Sequence, residues 1–205
     1  MKPIGVLISG RGSNLQALID AQHAGTLGGR IAVVVSNVPE AAGLERAARA
    51  GIAHRAIPHP SRAEFAAAAD AALRQSGVEL VALAGFMRIL DTGFIEAWRD
   101  RLVNIHPSLL PAFPGLHTHR RALEAGCKLA GATVHFVTAE LDHGPIIAQA
   151  VVPVLADDTE AALAARVLER EHLIYPRSVR WLLEGALRIE HGVVRHSGGE
   201  SQLWR

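Results

Sequence analysis

The chain has 205 residues, of which 49% are hydrophobic, enough to build the core of one domain. Its formal net charge of +1 gives no reason to expect nucleic acid or a membrane as a partner. Its one cysteine, Cys127, excludes an internal disulfide, and apolar runs such as "IGVLI" are too short to span a bilayer. No leader peptide precedes the first predicted strand, so we expect a cytoplasmic protein.

Short β-branched runs alternate with longer alanine-rich amphipathic stretches along the first half of the chain. These patterns predict strands near 3–9, 30–36, 53–58, 79–84 and 101–105, and helices near 13–24, 41–50, 62–76 and 92–99. The alternation indicates right-handed βαβ crossovers, and therefore an α/β fold with a mostly parallel, twisted sheet and helices on both faces.

The second half of the chain changes pattern. It predicts a helix near 119–126, strands near 131–138 and 145–154, a helix over 157–185, and a hairpin followed by a tail. The two strands are joined by a turn, so the C-terminal part of the sheet is expected to be partly antiparallel. Asp158 or Thr159 is expected to cap the long helix, and Pro176 to kink it. We interpret residues 1–205 as one domain.

A glycine-rich segment, "ISGRGSNLQALID", follows the first predicted strand and enters a helix. Gly10 and Gly12 permit unusual backbone conformations, and Ser13 and Asn14 can cap the helix. Free N–H groups at such a helix start favour a phosphate. A dinucleotide fingerprint fits less well, because its third glycine is replaced by Leu15 and the second strand ends in "VVVSN" without an acidic residue. A tight structural turn is the other interpretation.

Polar side chains also occur where the fifth predicted strand ends, in "LVNIHPSLLPAFPG". Asn104 and His106 are two residues apart, so they share one face of an extended strand, and the proline-rich segment 107–115 is pre-organised. Ligands of parallel sheets bind at the carboxyl ends of the strands. Asp142, in the turn "LDHGP", would add a carboxylate if that turn folded over the end of the strand. Alternatively, these residues only satisfy loop backbone groups and form turns.

Several other polar residues have ordinary explanations. His117 and His119 suggest a zinc site, but no cysteine pair or helical H-x-x-x-H accompanies them, so we expect no metal. His135 is expected to be a hydrogen-bonded strand residue. The helical pattern alone places Glu171 at the surface.

Five segments in chain order resemble one family: "SGRGSNLQAL", "LAGFMRIL", "LVNIHPSLLPAFPGLHTHRRAL", "GATVHFVTAELDHGPIIAQ" and "REHLIYP". Together they resemble the folate-dependent formyltransferases, and among these the glycinamide ribonucleotide formyltransferases, over residues 3–190. The resemblance implies a Rossmann-related fold with ribonucleotide binding in the N-terminal half and folate binding and catalysis in the C-terminal half. The main departure is local, His143 within "LDHGP", at a position that leaves the chemistry intact.

The resemblance also implies roles for individual residues. Asn104, His106 and Asp142 match the catalytic side chains of the family. The residues that match its ribonucleotide site are Gly12, Ser13, Asn14 and Glu171. The residues that match its folate site are Arg62, Met87, Arg88, Ile89, Leu90, Thr138, Ala139, Glu140 and Leu141.

The activity implied is transfer of a formyl group from 10-formyltetrahydrofolate, as co-substrate, to the amine of 5-phosphoribosylglycinamide in purine biosynthesis. The expected partners are these small molecules. The sequence does not fix the oligomeric state and is compatible with a homodimer. The nearest alternative is a formyltetrahydrofolate hydrolase, which shares the Asn-His-Asp set and usually carries a further N-terminal domain. An alternative of another class is a non-catalytic phosphate-binding module.

Overall fold

The structure, a computed structural model, describes residues 1–58 and 61–205. These residues form two compact units, 1–104 and 105–205. A compact unit is not by itself an independently folding domain, so the interpretation of the whole chain as one domain stays a prediction. Within the described residues, every helix is too short or too polar to cross a bilayer.

The first unit alternates strands and helices, as the sequence predicts. Its elements are β1 (Lys2–Ile8), α1 (Ser13–His23), β2 (Gly29–Ser36), α2 (Ala42–Arg49), β3 (His54–Ala56), α3 (Arg62–Gln75), β4 (Leu80–Leu83), α4 (Thr92–Ala97) and β5 (Leu102–His106), whose last two residues belong to the second unit. The strands are parallel and lie in the order β3-β2-β1-β4-β5.

Burial of the central strands explains their apolar sequences. Consecutive strand residues point to opposite faces of a sheet, yet Val6 and Leu7 of β1 are both 0% exposed. All four residues of β4 are buried as well. Both faces of the sheet are therefore covered in this unit, which is the arrangement that favours continuous apolar strands over alternating ones.

The second unit contains the antiparallel strands. Its elements are α5 (Thr118–Glu124), β6 (Leu129–Phe136), β7 (Ile146–Pro153), α6 (Glu160–Glu184), β8 (Leu187–Glu190), β9 (Val193–His196) and β10 (Leu203–Trp204). β6 and β7 are antiparallel, and α6 packs against both of them. β8 and β9 form a separate hairpin. The predicted fold class, a mostly parallel α/β sheet with partly antiparallel C-terminal strands, is confirmed.

The structure shows which of the two candidate residues caps α6. The hydroxyl of Thr159 accepts a hydrogen bond from the N–H of Ala162 at 3.1 Å, which makes Thr159 the cap. Asp158 instead pairs with the guanidinium of Arg166 at 2.7 Å. α6 continues as one helix through Pro176.

The C-terminal segment after the β8–β9 hairpin is not a free tail. Leu203 and Trp204 form β10, which runs parallel to β7, and the Trp204 ring lies 5.5 Å from that of Trp181. The guanidinium of Arg177 covers both rings, at 5.8 and 5.9 Å. A short strand of this kind occupies the backbone groups of the β7 edge.

Gly131 provides a test of the β6–β7 pairing. A Cβ added to this residue would lie 1.9 Å from the carbonyl oxygen of Ala150 on β7, so Gly131→Ala should lower the free energy of unfolding by about 1–3 kcal/mol, measured by urea titration. Gly93→Ala is the control, because Gly93 lies in α4 and its new methyl group would be 3.4 Å from its nearest neighbour. Equal stabilities of the two variants would contradict the predicted crowding.

Candidate functional site

The loop that follows β5, residues 107–115, is fastened to the β6–β7 pair. The buried hydroxyl of Thr133 donates to the carbonyl of Ser108 at 2.7 Å and accepts from the N–H of Leu110 at 3.1 Å. The side-chain amide of Gln149 donates to the carbonyl of Leu110 at 2.8 Å. Polar side chains of β6 and β7 therefore provide hydrogen-bond partners for backbone groups of the loop, and they hold the loop in place together with its prolines.

His106, the last residue of β5, lies between two oxygen acceptors. Its Nε2 is 3.0 Å from the carbonyl oxygen of Phe113, and its Nδ1 is 3.4 Å from Oδ2 of Asp142. The side chains of His106 and Asp142 are each only 7% exposed. A neutral imidazole can donate from one nitrogen only, whereas an imidazolium donates from both and satisfies both oxygens.

Asp142 reaches His106 because the loop between β6 and β7 turns sharply. A Cβ on Gly144 would lie 1.7 Å from the carbonyl oxygen of Phe136, so only glycine fits this turn. Asp142 itself has a left-handed backbone with φ of 55°. Its Oδ2 accepts a hydrogen bond from the N–H of Gly115 at 2.9 Å. The carboxylate thus joins the 107–115 loop to the ring of His106.

A second histidine, His135, lies on the other side of the carboxylate. Its Nε2 is 3.7 Å from Oδ1 of Asp142, and its Nδ1 is 2.9 Å from the carbonyl oxygen of Phe136. Burial lowers the pKa of His135 below its ordinary value, although the Phe136 hydrogen bond and the Asp142 charge act in the opposite direction. His135 is therefore neutral near pH 7. The sequence predicts its hydrogen bond but not its position beside Asp142.

The two histidines at the start of α5 differ in exposure. His117 is exposed and precedes the helix with φ of 57°, whereas His119 is half-buried. Burial lowers the pKa of His119, helped by the nearby His106 and opposed by Glu160. Among the described residues, no group of three His, Cys, Asp or Glu side chains is arranged to hold a metal ion. The expectation that the protein uses no metal stays a prediction.

Asn104 lies two residues before His106 on β5 and is partly exposed. Its backbone is in register with Leu83 of β4. That Asn104 and His106 share one face of the strand stays a prediction from their spacing. The role of the Asn104 amide stays a prediction.

The glycine-rich segment of the first unit differs from the expectation in one respect. Gly12, with φ of 71° and ψ of 33°, occupies the cap position of α1, and Ser13 is the first helical residue. The expectation that Ser13 or Asn14 caps the helix is therefore wrong. Gly12 carries no side chain that can cap the helix, so the backbone N–H groups of its first turn are the donors predicted to meet a phosphate.

The segment after β4, residues 87–90, presents an apolar surface. Met87 is 67% and Ile89 55% exposed, whereas Leu90 is buried. The N–H of Met87 donates to Ser9 Oγ at 2.8 Å, which ties the segment to the end of β1. Singly exposed apolar side chains are ordinary at a protein surface, so the folate-binding role of this segment stays a prediction.

The remaining predicted ligand residues lie in three places. Arg62 is exposed at the first turn of α3, and Arg88 lies 5.3 Å above the Phe65 ring. In the second unit, residues 139–141 are exposed beside a half-buried Thr138. Glu171 of α6 is 7% exposed, so the surface position that its helical pattern suggests is wrong. The binding role of Glu171 stays a prediction.

Comparisons with known proteins identify the family. A model of the formyl transferase family matches residues 2–179. The chain is 49% identical over 189 residues to a phosphoribosylglycinamide formyltransferase of Escherichia coli, covering 91% of this chain and 89% of that protein. It is also 49% identical to the trifunctional purine biosynthetic protein adenosine-3 of Drosophila melanogaster, over 92% of this chain but 14% of that much longer protein.

A solved structure agrees with these sequence matches. The glycinamide ribonucleotide transformylase 1 of Symbiobacterium toebii superimposes with a TM-score of 0.92 and is 53% identical, covering 96% of this chain and 94% of that one. The family model covers most of the chain, and the match to the bacterial relative extends over nearly the full length of both proteins. The chain belongs to the formyl transferase family.

Proposed function

We propose that this protein transfers the formyl group of 10-formyltetrahydrofolate to the amine of 5-phosphoribosylglycinamide, a step of de novo purine biosynthesis. The observation that supports the proposal most strongly is the buried contact between His106 and Asp142, 3.4 Å apart, in a chain of the formyl transferase family. We also propose that the reaction takes place in the cytoplasm.

The reaction needs an oxyanion to be stabilised. The amine nitrogen bonds to the formyl carbon, whose oxygen becomes negatively charged in a tetrahedral intermediate, and the bond to N10 of the folate then breaks. Donors aimed at that oxygen lower the barrier, and loss of one commonly reduces the rate about 10²–10³-fold. We assign this donation to the side-chain amide of Asn104 and to Nε2 of His106, which would exchange the carbonyl oxygen of Phe113 for the oxyanion when the substrates bind.

A proton must pass from the attacking amine to the departing N10. A positioned acid or base contributes about 10²–10⁴-fold to such a transfer. Asp142 holds the ring of His106 in the orientation and protonation form that the reaction needs, and it assists the proton transfer.

The substrate sites follow from the family motifs. The ribonucleotide is bound by Gly12, Ser13, Asn14 and Glu171. The folate is bound by Arg62, Met87, Arg88, Ile89, Leu90, Thr138, Ala139, Glu140 and Leu141. The exposed side chains of Met87 and Ile89 support this assignment, because a flat pteridine packs on apolar side chains with few polar anchors.

One assay separates the three candidate functions. The protein is mixed with 10-formyltetrahydrofolate, with and without 5-phosphoribosylglycinamide, and the folate absorbance is followed. Turnover that requires the ribonucleotide is the result expected for the transferase. Turnover without it would establish the hydrolase, and no turnover in either mixture would favour the binding module.

Replacement of His106 tests its assignment. His106→Ala should reduce kcat by on the order of 10²–10³, because a donor to the oxyanion is lost, while calorimetry still detects both ligands. His143→Ala is the matched control, since the His143 ring is 49% exposed and its nitrogens contact Glu140 and Leu141 of the same loop. If His106→Ala retained wild-type activity, the assignment would be wrong.

A pair of glycine substitutions tests the phosphate loop. Gly12→Ala would force alanine into a left-handed backbone, with its Cβ 2.6 Å from the Cα of Gly43. We expect KM for the ribonucleotide to rise about tenfold, since that conformation costs an L-residue roughly 1–2 kcal/mol. An added Cβ at Gly10 meets nothing within 4 Å, so Gly10→Ala should leave KM unchanged. Equal KM values in steady-state kinetics of the two variants would contradict the proposed loop.

A further inference from the structure

Helix α2 packs directly on the backbone of the glycine-rich loop. A Cβ on Gly43, in the first turn of α2, would lie 3.2 Å from the Cα of Gly12 and 2.5 Å from Cδ1 of Ile8. The N–H of Gly43 donates to the carbonyl of Gly10 at 3.0 Å. Glycine at positions 12 and 43 is what permits two backbones to approach this closely.

One turn further along the same helix, the side chain of Arg46 also binds the loop. Its Nε donates to the carbonyl of Arg11 at 2.8 Å, and its Nη1 donates to Oε1 of Gln16 on α1 at 3.1 Å. Arg46 is half-buried, and its planar guanidinium serves both acceptors at once. α2 therefore supplies donors to two consecutive loop carbonyls, those of Gly10 and Arg11.

These two hydrogen bonds fix the directions of loop N–H groups. The peptide bonds that follow Gly10 and Arg11 are trans, so the C=O and the N–H of each peptide group point in opposite directions. A carbonyl of Arg11 held toward Arg46 turns the N–H of Gly12 away from α2. In the same way, the hydrogen bond from Gly43 to the carbonyl of Gly10 turns the N–H of Arg11 away from α2. N–H groups oriented together form an anion-binding concavity.

We propose that Arg46 is a positioning residue for the phosphate of the ribonucleotide. It acts by orienting the Gly12 N–H and by adding positive charge behind the loop. The inference rests on the proposed function, in which this loop holds the phosphate. Arg49 makes a matched control: it lies on the same helix, but its Nε bonds the Glu45 carbonyl of that helix at 3.3 Å, and it is exposed.

The test is steady-state kinetics of wild type, Arg46→Met, Arg46→Lys and Arg49→Met, with each substrate varied in turn and thermal stability recorded. Arg46→Met should raise KM for the ribonucleotide about tenfold, the effect typical of losing a charged hydrogen bond, with kcat and KM for the folate unchanged. Tm should fall by only a few degrees, as expected when the hydrogen bonds of one side chain are lost. Arg46→Lys should recover only part of the loss, because an ammonium keeps the charge but not the planar fork. Arg49→Met should match wild type.

Other outcomes would overturn the inference. If Arg46→Met matched Arg49→Met, the contact would have no role in binding. If Arg46→Met raised both KM values and lowered Tm strongly, Arg46 would be merely structural. Full recovery by Arg46→Lys would show that the positive charge acts alone, and it would overturn the orienting role of the guanidinium. If the wild-type protein showed no ribonucleotide-dependent turnover, the proposed function would be wrong. Binding of inorganic phosphate would then be measured by calorimetry. Weaker binding by Arg46→Met than by Arg49→Met would support the inference, and equal binding would overturn it.

Discussion

The ring of His106 is held by two oxygen atoms from two loops, and both loops follow unfavourable backbone paths to supply them. The carbonyl oxygen of Phe113 contacts Nε2, the carboxylate of Asp142 contacts Nδ1, and both residues have positive φ angles, of 54° and 55°. Such conformations persist only where surrounding contacts impose them, and they concentrate at functional sites. Hydrogen bonds from Thr133 and Gln149 hold the first half of the first loop in place. The close approach of Gly144 to Phe136 shapes the second loop.

Burial gives this arrangement its electrostatic character. Asp142 is flanked by two imidazoles, but they are not equivalent. His135 lies inside the sheet, where loss of water lowers its pKa and keeps it neutral. His106 ends its strand, and its nitrogens face the carbonyl oxygen of Phe113 and the carboxylate of Asp142. The carboxylate thus contacts both rings, and our proposal assigns the donation to the oxyanion and the proton transfer to His106.

The sequence predicts the periodic elements well, since long apolar and amphipathic patterns depend on local properties of the chain. It also predicts that His106 ends a strand. Residue patterns alone do not predict that Asp142 reaches His106, because that contact depends on how a separate loop folds; only the resemblance to the family implies that the two residues act together. The sequence favours Ser13 or Asn14 as the cap of α1, because both residue types are common caps, but the left-handed Gly12 occupies that position in the structure. Burial of Glu171 and the contact of Arg46 with Arg11 arise from packing between distant segments, which no local pattern encodes.

The most direct test of the account is a double-mutant cycle on the two side chains that meet. The value of kcat/KM is measured for wild type, His106→Asn, Asp142→Asn and the double variant. If Asp142 acts through the ring of His106, its replacement should reduce the rate strongly in wild type and hardly at all once the imidazole is gone. Independent, multiplicative losses in the double variant would contradict the claim that the two residues work as one unit.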